Sequence, residues 1–123
     1  GPRLYDTERT KKTVIGVIDW YKEFRNILNS DIIHLRRADG RDWDGLLHVN
    51  PKLKTKGMLM LYNPLEEQIT RTIKVPLYYT GLTSVAKLKE KYGPAKIYKL
   101  DRNYEISYTL TIQPKSYTWV QIE

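Results

Sequence analysis

The sequence contains no cysteine, a single phenylalanine, two histidines and two methionines. Without cysteine it has no disulfide framework, no thiolate zinc site and no cysteine nucleophile. No apolar run approaches the roughly 20 residues that span a bilayer, so no membrane partner is expected. A Gly-rich phosphate loop, a Gly-x-Ser-x-Gly elbow and a Ser, His and Asp constellation are all missing. No catalytic residue and no cofactor is therefore assigned, and catalysis by this chain alone is not expected.

What is present fits one domain with one core, since chains divide into separate cores only well beyond 123 residues. Charged residues at 28% and hydrophobic ones at 41% are ordinary for a globular protein. The 21 Lys and Arg against 14 Asp and Glu give a net charge of +7. That excess is spread evenly: residues 1–60 hold 12 basic and 8 acidic groups, and residues 61–123 hold 9 and 6. A nucleic-acid binder concentrates its cations to neutralise adjacent phosphates, whereas the densest run here, Lys87, Lys89 and Lys91, is interrupted by Leu88 and Glu90. No nucleic-acid partner is expected. The chain begins Gly1-Pro2-Arg3, with no Met and no basic-then-apolar leader, so a preceding segment is expected.

Helical periodicity runs from about Thr7 to Leu28. Asp6 and Thr7 are suited to capping the start, Glu8 places negative charge in the first turn, and Asn29-Ser30 ends the pattern. At 100° per residue the apolar positions run from Ile27 through Trp20, Phe24 and Leu28 to Ile18, with Ile15 beyond, an arc of about 240°. A helix lying on one sheet needs much less. Either the helix carries surplus hydrophobes, or it packs on a second neighbour as well. On the second reading Ile15, Trp20, Phe24 and Ile27 are the domain-interface residues.

After Ser30 the period changes to two. Candidate strands are 31–36, 45–49, 57–62, 68–76, 84–90, 95–100, 104–112 and 117–122, separated by turn formers such as Asp39-Gly40, Asn63-Pro64, Thr80-Gly81 and Gly93-Pro94. Tyr104, Ile106, Tyr108, Leu110 and Ile112 alternate with polar residues, which predicts one buried and one wet face. Met58 to Tyr62 is apolar on both faces and reads as a central strand, and Pro76 ends its strand's pairing or lies on an edge. The fold class is mainly β: an antiparallel β-sandwich of about eight strands (31–123) with one N-terminal helix (1–30) packed on it.

Few residues suggest chemistry. Pairing Ile33 with Val49 and Leu35 with Leu47 predicts that His34 faces His48, yet two imidazoles lack the third protein ligand of a zinc site, and no metal is expected. Asp39, Asp42 and Asp44 form the densest carboxylate cluster. Their spacing is not that of a calcium loop, and a hairpin tip is a poor mount for a glycosidase acid and nucleophile. Trp43, at that tip, and Tyr78 and Tyr79, after Pro76, are the aromatics expected to be exposed, and aromatic faces stack on pyranose rings. They are the candidate carbohydrate-binding residues, with packing against a neighbouring domain as the alternative.

Longer strings carry a resemblance. Trp20-Tyr21-Lys22-Glu23-Phe24-Arg25-Asn26-Ile27-Leu28, running into Asp31-Ile32-Ile33-His34-Leu35-Arg36-Arg37, resembles the junction at which the last helix of a (β/α)₈ barrel meets a C-terminal β-domain in bacterial glycoside hydrolases. Asp39-Gly40-Arg41, Leu47-His48-Val49-Asn50-Pro51, Gly57-Met58-Leu59-Met60-Leu61-Tyr62-Asn63-Pro64 and Pro76-Leu77-Tyr78-Tyr79-Thr80-Gly81-Leu82 resemble the C-terminal antiparallel β-sandwich of α-galactosidase-like enzymes that degrade polysaccharides. The resemblance implies a noncatalytic accessory domain whose partner is the catalytic barrel preceding it in the same chain. It also implies a secreted or periplasmic parent enzyme, with polysaccharide as a possible second partner. The catalytic carboxylates of such enzymes lie on the barrel, so none is carried over to this chain.

Overall fold

The computed structural model describes residues 4–123, with side chains from residue 11 onward. Helix α1 (Leu4–Leu28) is followed by β1 (Asp31–Arg36), β2 (Asp44–Val49), β3 (Gly57–Asn63), β4 (Ile69–Pro76), a single 3₁₀ turn (Tyr78–Thr80), β5 (Val85–Glu90), β6 (Ala95–Lys99), β7 (Glu105–Ile112) and β8 (Ser116–Ile122). The helix begins three residues before the expected start. The capping residues expected at Asp6, Thr7 and Glu8 fall outside the residues whose side chains are described.

All pairings are antiparallel, in a six-stranded sheet of order β1-β2-β3-β8-β5-β6 and a two-stranded sheet of β4 and β7. Alternation decides which side chains meet. Leu47, Leu59, Leu61, Val120 and Ile122 from the large sheet pack against Ile69, Ile73, Val75, Ile106, Tyr108 and Leu110 from the small one, and these form the main core. Two strands cannot pair with six, so the sandwich is lopsided. The large sheet's other face is covered by α1, which buries Phe24 and Ile27 on Met58, with Trp20, Leu28, Leu53, Met60 and Trp119 around them. Trp119 therefore belongs to this second core under the helix, with its ring centroid 5.1 Å from Phe24 and 5.6 Å from Trp20.

Tyr104 departs from the expected alternation. It precedes β7 with a φ of 59° and is 36% exposed, so the buried row begins at Ile106. The left-handed conformation turns the chain out of the loop that Asp101 organises by accepting the Asn103 and Glu105 N–H groups. Pro76 is the last paired residue of β4, as its missing N–H requires.

Polar groups tie the two sheets together. The fully buried Asn63 amide donates to the carbonyls of Glu67 (2.8 Å), Ile112 (3.1 Å) and Gln113 (3.0 Å), while its oxygen accepts from Leu65 N–H (2.9 Å). One side chain thus joins the end of β3 to the end of β7 and shapes the loop into β4. At the other side, Arg71 of β4 reaches Asp42 of the β1–β2 loop at 3.1 Å. Replacing Asn63 by Ala removes its hydrogen bonds to three carbonyls and an N–H, of which only the bond to the Ile112 carbonyl is wholly buried, a loss of about 3 kcal/mol. Thermal unfolding of Asn63→Ala should begin on the order of 10 °C lower, and a midpoint unchanged from wild type would contradict this role.

Candidate functional site

The outer face of the large sheet shows what the folded chain offers a ligand. Register places its side chains in rows across the strands: Asp44, Tyr62 and Tyr117; then His34, Leu46, Met60 and Trp119; then Ile32, His48, Met58 and Gln121. The helix covers Met58 and packs beside Met60 and Trp119, but it does not reach the first row. What remains is a groove of about 820 Å³, floored by Asp44, Leu46 and Met60 and bounded by His34, Arg37, Tyr62 and Tyr117. Its volume lies within the ~300–1,000 Å³ usual for small-molecule sites.

The expected pairing of β1 with β2 is corrected here. Ile33 faces Leu47 and Asp31 faces Val49, so His34 stands opposite Leu46 and His48 opposite Ile32. The two histidines share a face but are diagonal neighbours. A bulge between His34 and Arg36 absorbs the difference in the loop. His48 is 8% exposed, and its Nδ1 has no hydrogen-bond partner among the described residues. Burial pushes its pKa below the ordinary 6.5, with the Ser30 backbone opposing the shift. Among the described residues no group of three or more His, Asp or Glu side chains is arranged to hold a metal ion.

The three aspartates diverge. Asp39 accepts both guanidinium nitrogens of Arg36 at 3.1 Å and the Arg41 N–H at 2.9 Å. The Arg41 backbone bond and the Arg36 side chain hold its carboxyl below the ordinary range. Asp42 accepts the Trp43 N–H (2.7 Å) and Arg71 Nε (3.1 Å). Asp44 alone lines the groove. Its carboxylate accepts no hydrogen bond among the described residues, and burial pushes its pKa up against the pull of Arg36.

The aromatics expected to bind carbohydrate are not brought together. Trp43 is half-buried and packs against the main core, and its carbonyl accepts Arg36 Nη1 at 2.6 Å. Tyr78 and Tyr79 are exposed, at 63% and 65%, but they meet edge to face at 88° and share no plane. A methyl group on Gly81, just after them, would lie 3.3 Å from Pro51, which places this turn beyond the C-terminal end of β2. Trp43 precedes the strand's other end, about 17 Å away by strand rise. The tyrosines that do pair are Tyr62 and Tyr117, with centroids 4.3 Å apart and planes 30° from parallel. Neither was among the aromatics expected to be exposed, although Tyr117 is 69% exposed; the cue was an aromatic at the outward parity of each of two strands.

The interface residues divide. Phe24 and Ile27 are buried on this chain's own sheet, and Trp20 is partly buried there, with its indole N–H lacking a partner among the described residues. Ile15 is 48% exposed. No protein-family model, no curated protein and no solved structure matches this chain.

His48 gives a pH dependence. A histidine whose pKa is lower in the folded than in the unfolded chain leaves the unfolded state binding more protons as pH falls below about 6.5, so stability is full above that value and declines beneath it. The unfolding midpoint of the wild type should fall between pH 7 and pH 5. In His48→Gln, which removes the titration, the decline should be shallower over the same range; parallel slopes would show that His48 is not its source.

Proposed function

We propose that this chain is a noncatalytic accessory β-sandwich domain of a polysaccharide-degrading glycoside hydrolase, and that it braces the catalytic barrel through its N-terminal helix. The resemblance of its strings to such enzymes supplies the class. The observation that carries the bracing is the state of α1. Every residue from Lys11 to Asp19 is exposed, including Val14, Ile15, Val17 and Ile18 at 46–60%.

Only the C-terminal turns of the helix are used internally. Trp20, Phe24 and Ile27 fall within about 60° at 100° per residue, and Val14, Val17, Ile18 and Tyr21 form an adjoining stripe about 100° wide that includes the packed Leu28 two turns further on. An i, i+3, i+4, i+7 row of this kind is a helix packing face, and here it lies exposed. The sandwich takes the C-terminal turns of this apolar surface, and the barrel would take the N-terminal turns. Burying Val17 and Ile18 fully would supply about 1.5–3 kcal/mol each. A second reading, a carbohydrate-binding module contacting sugar through Trp43, Tyr78 and Tyr79, draws on the exposure of the two tyrosines, but their edge-to-face geometry and the distance to Trp43 favour the first.

The coding sequence upstream of Gly1 is expected to encode a (β/α)₈ barrel in frame, and a start codon at that point would overturn the proposal. In the full-length chain, Val17→Lys combined with Ile18→Lys should lower the barrel's unfolding midpoint and leave the sandwich's midpoint as it was. If the barrel's midpoint does not move, the helix does not brace it.

A further inference from the structure

The groove on the outer face is not used by the bracing helix, and its chemistry points to a ligand of its own. We propose that it binds a short neutral saccharide, with one pyranose ring stacked on Tyr62 over β2 and its hydroxyls held by Asp44. The choice of saccharide rests on the glycoside hydrolase reading; the position and contacts come from the sheet.

The geometry is that of a slot. Tyr117 stacks on one face of Tyr62, so the free face of Tyr62 points across β3 toward β2. Asp44 is the residue opposite Tyr62 in register, and it lies on the slot's floor. The far wall is β1 and the chain just after it, with His34 and Arg37. Walls on β1 and β3 are two strand spacings apart, about 10 Å, which leaves room for one flat ring between side chains. An aromatic face receives the C–H face of a pyranose, and a bracing ring behind it removes the cost of ordering it.

The carboxylate on the floor is unsatisfied in a way that suits a polyol. The Asp44 carboxylate accepts no hydrogen bond among the described residues although it is partly buried. An ionised carboxylate is acceptor-only and can take two adjacent hydroxyl groups. His48 borders the same groove two rows further along β2, about 13 Å from Asp44 by strand rise, and its Nδ1 is buried and not presented to the slot. Arg36 is already engaged by Asp39 and the Trp43 carbonyl, so the carboxylate beside the tyrosines has no guanidinium bonded to it. Beside the tyrosines Asp44 would repel a uronate carboxylate, and the Arg37 cation stands on the opposite wall, so the ring that stacks on Tyr62 is a neutral one.

Titrating maltotriose, cellotriose, xylotriose, α-1,6-galactobiose and digalacturonate into ¹⁵N-labelled protein tests this. At least one neutral saccharide should shift the amides of Asp44, Leu46, Tyr62 and Tyr117 with an affinity of about millimolar. Tyr62→Ala and Asp44→Asn should each weaken it at least about tenfold while unfolding remains cooperative, and Tyr78→Ala should leave it unchanged. Shifts centred on Tyr78 and Tyr79, tighter binding of digalacturonate, or no shift in the groove with any neutral saccharide would each overturn the proposal. Should a variant unfold, the wild-type shift map decides alone. A barrel encoded upstream with no saccharide binding would sink this inference only, whereas saccharide binding without a barrel would sink the bracing role only.

Discussion

Strand β3 buries side chains on both of its faces, with Leu59 and Leu61 against the small sheet and Met58 beneath Phe24 and Ile27. The rest of the architecture depends on this double burial. A strand apolar on both sides must lie in the middle of its sheet and be covered twice, and eight short strands cannot supply two full covers. Here β4 and β7 cover one face and α1 covers part of the other. A six-stranded sheet with a two-stranded partner and a single helix leaves outer surface open. The groove between β1 and the tyrosine pair is that remainder.

Polar residues secure this unequal arrangement at its edges. Asn63 fastens the ends of β3 and β7, and the Arg36–Asp39 and Arg71–Asp42 pairs fasten the β1–β2 loop. These surface pairs contribute little energy individually, but they fix where the loop lies. Their chemical consequence is that two of the three clustered aspartates are engaged in structure. Asp44, one residue into β2, escapes because alternation turns it onto the outer face. The helix meanwhile divides its apolar surface between the sheet and the outside, and that division supports a bracing role where a plain amphipathic helix would not.

The alternation of Ile106, Tyr108, Leu110 and Ile112, the doubly apolar Met58–Tyr62 and the helical period before Leu28 were legible in the chain, because each is a local pattern imposed by burial. The β1–β2 register was not. A shift of two residues leaves every side chain on the same face, so hydrophobic patterning cannot distinguish the two pairings; the bulge before Arg36 decides it. Tyr104 was misplaced for a similar reason, since its left-handed backbone answers to the Asp101 loop and not to the strand's period.

By itself, the sequence determined a mainly β fold with an N-terminal helix, since period and composition report what each segment must bury. Tertiary structure alone decided which surface remained. Asp44, His48, Tyr62 and Tyr117 come from β2, β3 and β8, and only the sheet order, in which β8 pairs with β3, brings the last of them beside the others. No local pattern encodes that neighbourhood. It follows from how six strands arrange themselves when only two strands and one helix are available to cover them.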